Sequence, residues 1–387
     1  MVTLTIGAAV AALLWAYLLL GRGRFWRIGR ITVRTGATMP PRRIAVIVPA
    51  RNEAAVVARS IASLLELSGE FLHIFLVDDA SSDGTAHFAL QAAASAGQSD
   101  SLTIVHSRPL PPGWSGKLWA VSQGVEAASR LAPDFLLLSD ADIVHSATIP
   151  SLIAIAERGY DLVSFMVKLH CRSLAEKLLI PAFVFFFFML YPPAWIRDPR
   201  RTAAGAAGGC LLIRPESLSH AGGVAAIRGE IIDDCALARA VKRSGGRVWL
   251  GLTENSVSIR AYGSFAEIGR MISRTAFNQL HHSALLLLGA VVGLAVTYLL
   301  PPSLLLSHHP VPFVLGAAAW VGMTIAYLPM IRFYRLNPLW ALTLPLAALF
   351  YMGATLYSAF QFWLGHGGEW KGRAQDQASH SAQISQS

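Results

Sequence analysis

Four acidic clusters hold most of the residues in this chain that could do chemistry, and each sits at the end of a regularly patterned segment. Pro49, Asn52 and Glu53 leave the apolar run 44–48, where Pro stops a strand and polar groups would meet a ligand. Taken alone, Asn52 and Glu53 also read as the cap and first-turn acid of a helix. Asp78 and Asp79 end the apolar run 73–77 and lead into Ser81-Ser82-Asp83-Gly84-Thr85, a tight-turn composition. Adjacent carboxylates at a strand end can accept hydrogen bonds from a nucleobase or from ribose hydroxyls; a solvated turn is the plainer alternative. Asp140 and Asp142 follow the run 135–138. Asp-x-Asp there can present oxygen ligands to Mg²⁺ or Mn²⁺, whose remaining positions phosphate and water would fill, and such a cation neutralises a leaving diphosphate. Asp233 and Asp234 open a helical pattern that continues through Val241. They read either as helix-capping acids or as a general base that takes the proton of an acceptor hydroxyl. A single displacement at a sugar C1 needs one such base and inverts the anomeric centre.

Three cations accompany the acids. Lys117 lies in the Gly-rich stretch Gly113-Trp114-Ser115-Gly116-Lys117, from which it could reach a donor phosphate, although the P-loop spacing is absent. Arg270 and Arg274 are four apart and share a helix face just before an apolar region. They read as a diphosphate clamp, as a positive flank of a membrane span, or as both.

The runs 44–48, 73–77, 102–105 and 135–138 are of strand length, and helical patterns such as 54–65 lie between them. That alternation predicts an α/β domain over 42–280 with a mostly parallel sheet, its functional groups at the carboxyl ends of the strands.

The remainder is lipid-like. Of 387 residues 54% are hydrophobic and only 14% charged, well below the charged share of soluble domains. Residues 1–21 carry no charged side chain, and Arg22, Arg24, Arg27, Arg30 and Arg34 follow. This order predicts an uncleaved anchor with its N-terminus outside, or else an interfacial helix, and it places the net charge of +9 at a membrane surface. Nucleic acid is not expected as a partner. Between 284 and 364, Ala284–Leu306, 311–331 and 338–364 read as about three spans, with Pro301-Pro302 a kink or stop. Three spans after a cytoplasmic domain put the C-terminus outside, whereas the basic tail Trp370-Lys371-Gly372-Arg373 favours the inside. The segment 178–192, with four consecutive Phe, is short and Pro-bounded. It reads as an amphipathic or re-entrant helix, or as a buried core helix. Cys171, Cys210 and Cys235 are odd in number and widely separated, which predicts reduced thiols without a structural zinc site. The Gln- and Ser-rich tail 374–387 has a disordered composition.

In order and spacing the four clusters together resemble family 2 glycosyltransferases. The matching positions are Pro49, Asn52 and Glu53, then Val77 to Thr85, then Asp140 and Asp142, then Asp233 and Asp234. The resemblance implies a GT-A, Rossmann-like fold and an inverting hexosyltransferase acting on a nucleotide-sugar, a UDP-sugar by the family pattern. It implies that Glu53 and Asp79 hold uracil and ribose, that Asp140 and Asp142 hold the metal and diphosphate, and that Asp234 is the base. Asp233 stands where the family usually has Glu. The stretch Ile272-Ser273-Arg274-Thr275 keeps the Arg of the processive synthases' Gln-x-x-Arg-Trp motif but lacks its Gln and Trp, which argues for transfer of one sugar. More narrowly, 110–117, 232–235, 270–277 and Gln279-Leu280 resemble the hopene-associated glycosyltransferases, and the anchor–domain–spans layout is similar to ceramide glucosyltransferases. Both imply a lipid acceptor, and the former a hopanoid at a bacterial inner membrane with the catalytic domain cytoplasmic. Polyprenyl-phosphate glycosyltransferases share the donor motifs and stay open as an alternative. An inactive scaffold is disfavoured by the retained acids, and a transporter by uncharged spans.

Overall fold

The structure, a computed structural model, describes residues 2–27, 42–67, 71–365, 369–370 and 373–374. Arg30 and Arg34 of the basic cluster, Lys371-Gly372 of the basic tail and 375–387 of the Gln/Ser-rich tail lie outside the described residues. Two compact units emerge: Arg30–Leu169 with Ile196–Arg260 and Gly368–Ser387, and Met1–Gly29 with His170–Trp195 and Ala261–Gly367.

The first unit is α/β. Among the described residues its strands are β1 (Ile44–Ala50), β2 (Leu72–Asp78), β3 (Leu102–His106), β4 (Phe135–Ser139), β5 (Ile143–His145), β6 (Leu162–Lys168), β7 (Cys210–Ile213) and β8 (Val248–Ser258). They form one sheet in the order β3-β2-β1-β4-β7-β6-β8-β5. The pairs β1–β2, β2–β3, β1–β4 and β6–β8 are parallel; β4–β7, β6–β7 and β5–β8 are antiparallel. All seven residues of β1 are buried, as a strand covered on both faces requires. Helix Gly116–Ser129 packs on it so closely that a Cβ at Gly124 would meet Ile47 Cγ2 at 2.5 Å, so only Gly fits there. The sheet curls, because β4 and β5 are joined by just Asp140, Ala141 and Asp142 yet stand fourth and eighth in strand order. The turn that carries the two metal-type carboxylates therefore closes the curl.

The second unit is helical. Among the described residues five helices are long and apolar enough to cross a membrane: Val2–Leu20, Leu174–Arg197, Ala284–Leu306, Pro310–Phe333 and Pro338–Trp363. The N-terminal helix packs on Pro310–Phe333 through small residues: Ala8 and Ala11 are buried, and a Cβ at Gly322 would touch Leu19 at 3.2 Å. Pro301-Pro302 fall where the regular α-helix Ala284–Leu294 has given way to a π turn at Ala295–Leu299, four residues before the helical segment ends at Leu306. The Thr297 carbonyl, which Pro301 cannot serve, accepts from Trp15 Nε1 at 2.7 Å.

The segment 178–192 corrects the expectation of a short element. Its helix runs Leu174–Leu190 through Pro181. It begins earlier because Ser173 and Glu176 form a capping box: Ser173 Oγ accepts from the Glu176 N–H at 3.1 Å, and Glu176 Oε2 accepts from the Ser173 N–H at 2.8 Å. Glu176 Oε1 also accepts from the Tyr262 N–H at 2.7 Å and contacts His170 Nδ1 at 2.7 Å, which satisfies a fully buried carboxylate. The Phe run fills an aromatic cluster, with Phe185 against Phe25 and Tyr327 and Phe186 against Tyr298 and Tyr351.

Candidate functional site

The first two motifs are stitched together by their own polar groups. Ser82 N–H donates to Asn52 Oδ1 at 2.9 Å, Glu53 N–H to Thr85 Oγ1 at 2.8 Å and Ala54 N–H to Asp83 Oδ2 at 2.9 Å. Asn52 takes φ 52°, a left-handed conformation that Asn tolerates. The helix-cap alternative for Asn52 falls away, because the next helix starts only at Val57. Asp83 anchors the turn, its carboxyl lowered below the usual range mainly by Thr85 and Ala54 donors that outweigh its desolvation. Asp79 is 1% exposed and faces Arg51, whose Nη1 donates to the Asp79 carbonyl at 2.6 Å and lies 3.5 Å from its carboxylate. Asp78, also buried, accepts from the Ser81 N–H at 3.2 Å.

Glu53 reaches the third motif through a residue that sequence reasoning missed. Arg260, just past β8, places Nη2 2.6 Å from Glu53 Oε2 and Nε 3.4 Å from Asp142 Oδ2. Ser258 donates to Asp142 Oδ2 at 2.6 Å. Burial and the Asp140 charge push the Asp142 carboxyl above its usual range, against the pull of Arg260.

Lys117 joins the third motif to the fourth. It stands in the first turn of helix Gly116–Ser129, whose Ser115 cap accepts from the Leu118 N–H at 3.3 Å. Its ammonium lies 3.0 Å from Asp140 Oδ1 and 3.1 Å from Asp233 Oδ2. Burial opposes that charge, but Asp140 and Asp233 outweigh it and raise the Lys117 pKa, so the group is a fixed cation. Asp233 and Asp234 open helix Asp233–Arg243. Asp234 Oδ2 accepts from the Gly208 N–H at 2.8 Å and Oδ1 from the Cys235 N–H at 2.7 Å. A Cβ at Gly208 would sit 3.4 Å from Lys117 Nζ and 3.5 Å from Asp234 Oδ2, ordinary contact distances, so this stretch of backbone lies against both side chains. Burial, then the neighbouring Asp233 charge, push the Asp234 carboxyl up to about 7. A cavity of about 30 Å³ is lined here by Lys117, Asp140 and Asp234 together with Leu138, Leu211 and Leu237, room for about one water. Pro49 lines it too.

One chain of contacts thus runs Glu53–Arg260–Asp142, through the Asp-x-Asp turn to Asp140, and on through Lys117 to Asp233 and Asp234. Asp79 and Asp78 lie at the adjoining end of β2, whose Asp78 pairs in register with Ala50 of β1. Arg274 is exposed on helix Phe265–Ala276 of the helical unit and takes no part in these contacts. Arg260 was legible only as a polar residue beyond an apolar strand; its partners lie 207 and 118 positions away (260 − 53 and 260 − 142). Among the described residues no group of three or more His, Cys, Asp or Glu is arranged as a ready metal cage.

Residues 45–221 match the family model of glycosyl transferase family 2. The mannosyltransferase PcManGT from Pyrobaculum calidifontis, solved in complex with GDP-Man and Mn²⁺, aligns over 94% of this chain and 98% of its own, with TM-score 0.53 and 20% identity. A glucosyl-3-phosphoglycerate synthase from Mycobacterium tuberculosis, solved with Mn²⁺, UDP-glucose and phosphoglyceric acid, aligns over 66% and 87%, with TM-score 0.43 and 18% identity. The first likeness shows the GT-A fold, with its curled, mostly parallel sheet.

Proposed function

We propose, from the premise that residues 45–221 form a family 2 glycosyltransferase domain and that the chain is accordingly a nucleotide-sugar glycosyltransferase, that it transfers one sugar with inversion to a lipid acceptor, a hopanoid or similar polycyclic lipid, at the cytoplasmic face of a bacterial inner membrane. The observation that carries this reading is the ion-paired connection through Lys117 between the Asp-x-Asp turn and Asp234. It sets a base next to the place where a diphosphate would leave. Ionised Asp234 takes the proton of the acceptor hydroxyl as that oxygen attacks C1 and the bond to the diphosphate breaks. Its two backbone donors hold the carboxylate still through the step. Glu53 and Asp79 offer acceptors to the base and ribose.

The carboxylates of Asp140 and Asp142 are the oxygen donors that hard dications take. Asp142 is raised by burial and by its like-charged neighbour, a repulsion that a dication relieves. The residues therefore fit Mg²⁺ or Mn²⁺, which when bound would offset charge developing on the leaving diphosphate. Chelation with EDTA should lower transfer at least tenfold, and Mg²⁺ or Mn²⁺ should restore it. We expect a partial loss because Lys117 and Arg260 keep cationic charge at both carboxylates. Full activity in chelator would remove the metal from the reading.

Support for a lipid acceptor comes from the apolar helices. Membranes containing the protein, given radiolabelled UDP-hexose, should yield an organic-extractable product absent from membranes lacking it, and mass spectrometry should find the sugar on a polycyclic lipid hydroxyl. A sugar found only on polyprenyl phosphate, or only in water-soluble product, would overturn the acceptor assignment.

A further inference from the structure

His145 is used by nothing above, yet it stands where the curl of the sheet closes. It is 3% exposed, on β5, three residues beyond Asp142. Its Nε2 lies 2.8 Å from Ser139 Oγ, the last residue of β4. Its Nδ1 lies 2.8 Å from Ser256 Oγ on β8, which lies 2.7 Å from Thr148 Oγ1. Its own N–H donates to Ser63 Oγ at 3.0 Å, and Ser63 donates to the Ser60 carbonyl at 2.7 Å. Every side chain in the set is buried. Burial drops the imidazole pKa to about 4, so the ring is neutral and carries one donor and one acceptor. Ser139 Oγ also donates to the Asp140 carbonyl at 3.3 Å. One ring nitrogen therefore donates to its serine and the other accepts from the serine it faces.

We infer that His145 is a positioning residue for the donor site: its ring ties the strand that leads into Asp140 to the strand that delivers Ser258 and Arg260, fixing the separation of Asp140 and Asp142. Those strands are not sheet neighbours. Their backbones are joined through the Asp140–Asp142 turn, with its Ile143 N–H to Asp140 carbonyl bond at 3.2 Å and Ile259 N–H to Asp142 carbonyl bond at 2.9 Å, and through the short β5, which pairs antiparallel with Ser256–Ser258 of β8. The imidazole spans the remaining distance without adding charge beside the two carboxylates, as a lysine or arginine would. The Ser139 bond holds the Asp140 side, and the Ser256 bond holds the Ser258–Arg260 side.

This inference rests on the donor-site reading, so the test separates the two. Binding of Mn²⁺ with UDP, and with GDP, is measured by calorimetry on the full-length protein in detergent for wild type, D142N, S139A, H145N and H145Q, and melting is recorded for each. An Asn amide reaches about as far as Nδ1 and keeps the Ser256 partner; a Gln amide reaches about as far as Nε2 and keeps Ser139. We expect S139A, H145N and H145Q each to weaken Mn²⁺–nucleotide binding about tenfold, because each leaves one end of the bridge unmade. A generic packing role would lower the melting temperature and leave the affinity of the folded variants at the wild-type value. Wild-type affinity in folded S139A overturns the inference whether or not the His145 variants fold, provided D142N loses binding. If wild type binds neither nucleotide with Mn²⁺, the donor-site reading falls and takes the inference with it.

Discussion

Asp234→Asn should lower sugar transfer by about 10³-fold, within the range a positioned general base contributes, while Mn²⁺–nucleotide binding stays within about twofold of wild type. The substitution keeps the shape and removes the proton acceptor. The wild-type acid limb should report the same group. Burial and Asp233 hold the Asp234 carboxyl at about 7, so activity should fall as the pH is lowered through neutrality. The stability of the fold should carry the opposite sign. Because the folded-state pKa is raised above the unfolded value of about 4, this residue's stabilising contribution is complete below about pH 4 and is lost as the pH rises through about 7. Wild type should therefore lose melting temperature relative to the Asn variant between about pH 5 and pH 8. Any constant offset comes from the amide, which can accept only one of the Gly208 and Cys235 donors. Wild-type turnover in the Asn variant, or parallel melting curves across that pH range, would remove Asp234 from the base role.

The half of the sheet that pairs locally was legible in the sequence, and the half that pairs at long range was not. The apolar runs at 44–48, 73–77, 102–105 and 135–138 became β1 to β4 within one or two residues at each end, because each is a short, mostly apolar run bounded by polar or turn residues. β5 is three residues long and β7 four, too short to show a period. Both exist because neighbouring strands hold them in place: β5 pairs with β8, and β7 lies between β4 and β6. The same distance effect hid Arg260: an arginine after a strand is ordinary until the curl brings it to Glu53 and Asp142. Lys117 was recognised as a cation in a useful place, but sequence pattern could not assign its partners. Toward the membrane, the later start of the Phe-rich helix was signalled by Ser173-Leu174-Ala175-Glu176, a capping-box spelling. It was obscured by the Pro181 that the helix tolerates. The acids themselves were readable because their chemistry demands particular residue types at strand ends. Their convergence was not, since it depends on how far the sheet curls.

Lys117→Met tests whether the two halves of the site act as one. The substitution keeps the length of the side chain and deletes the charge between Asp140 and Asp233. Three carboxylates, Asp140, Asp233 and Asp234, then face one another with their shared cation gone. The Lys117 charge holds Asp234 down against burial and Asp233, so its loss should move the acid limb of the transfer profile to higher pH. At neutral pH transfer should fall by about 10²-fold, through two routes: a larger share of protonated base, and weaker donor binding as Asp140 loses its partner. The routes separate on titration, because raising the pH to about 9 should recover the first loss and leave the second in the donor KM. Removing Asp233's charge in the same chain provides the sharper check. Asp233 is the main charge that raises Asp234, so the Lys117→Met, Asp233→Asn pair should return the acid limb toward its wild-type position, and the two substitutions should be strongly non-additive in the profile. An acid limb that stays fixed in all three variants would mean that the ammonium serves Asp140 alone and that the base titrates independently of the donor half.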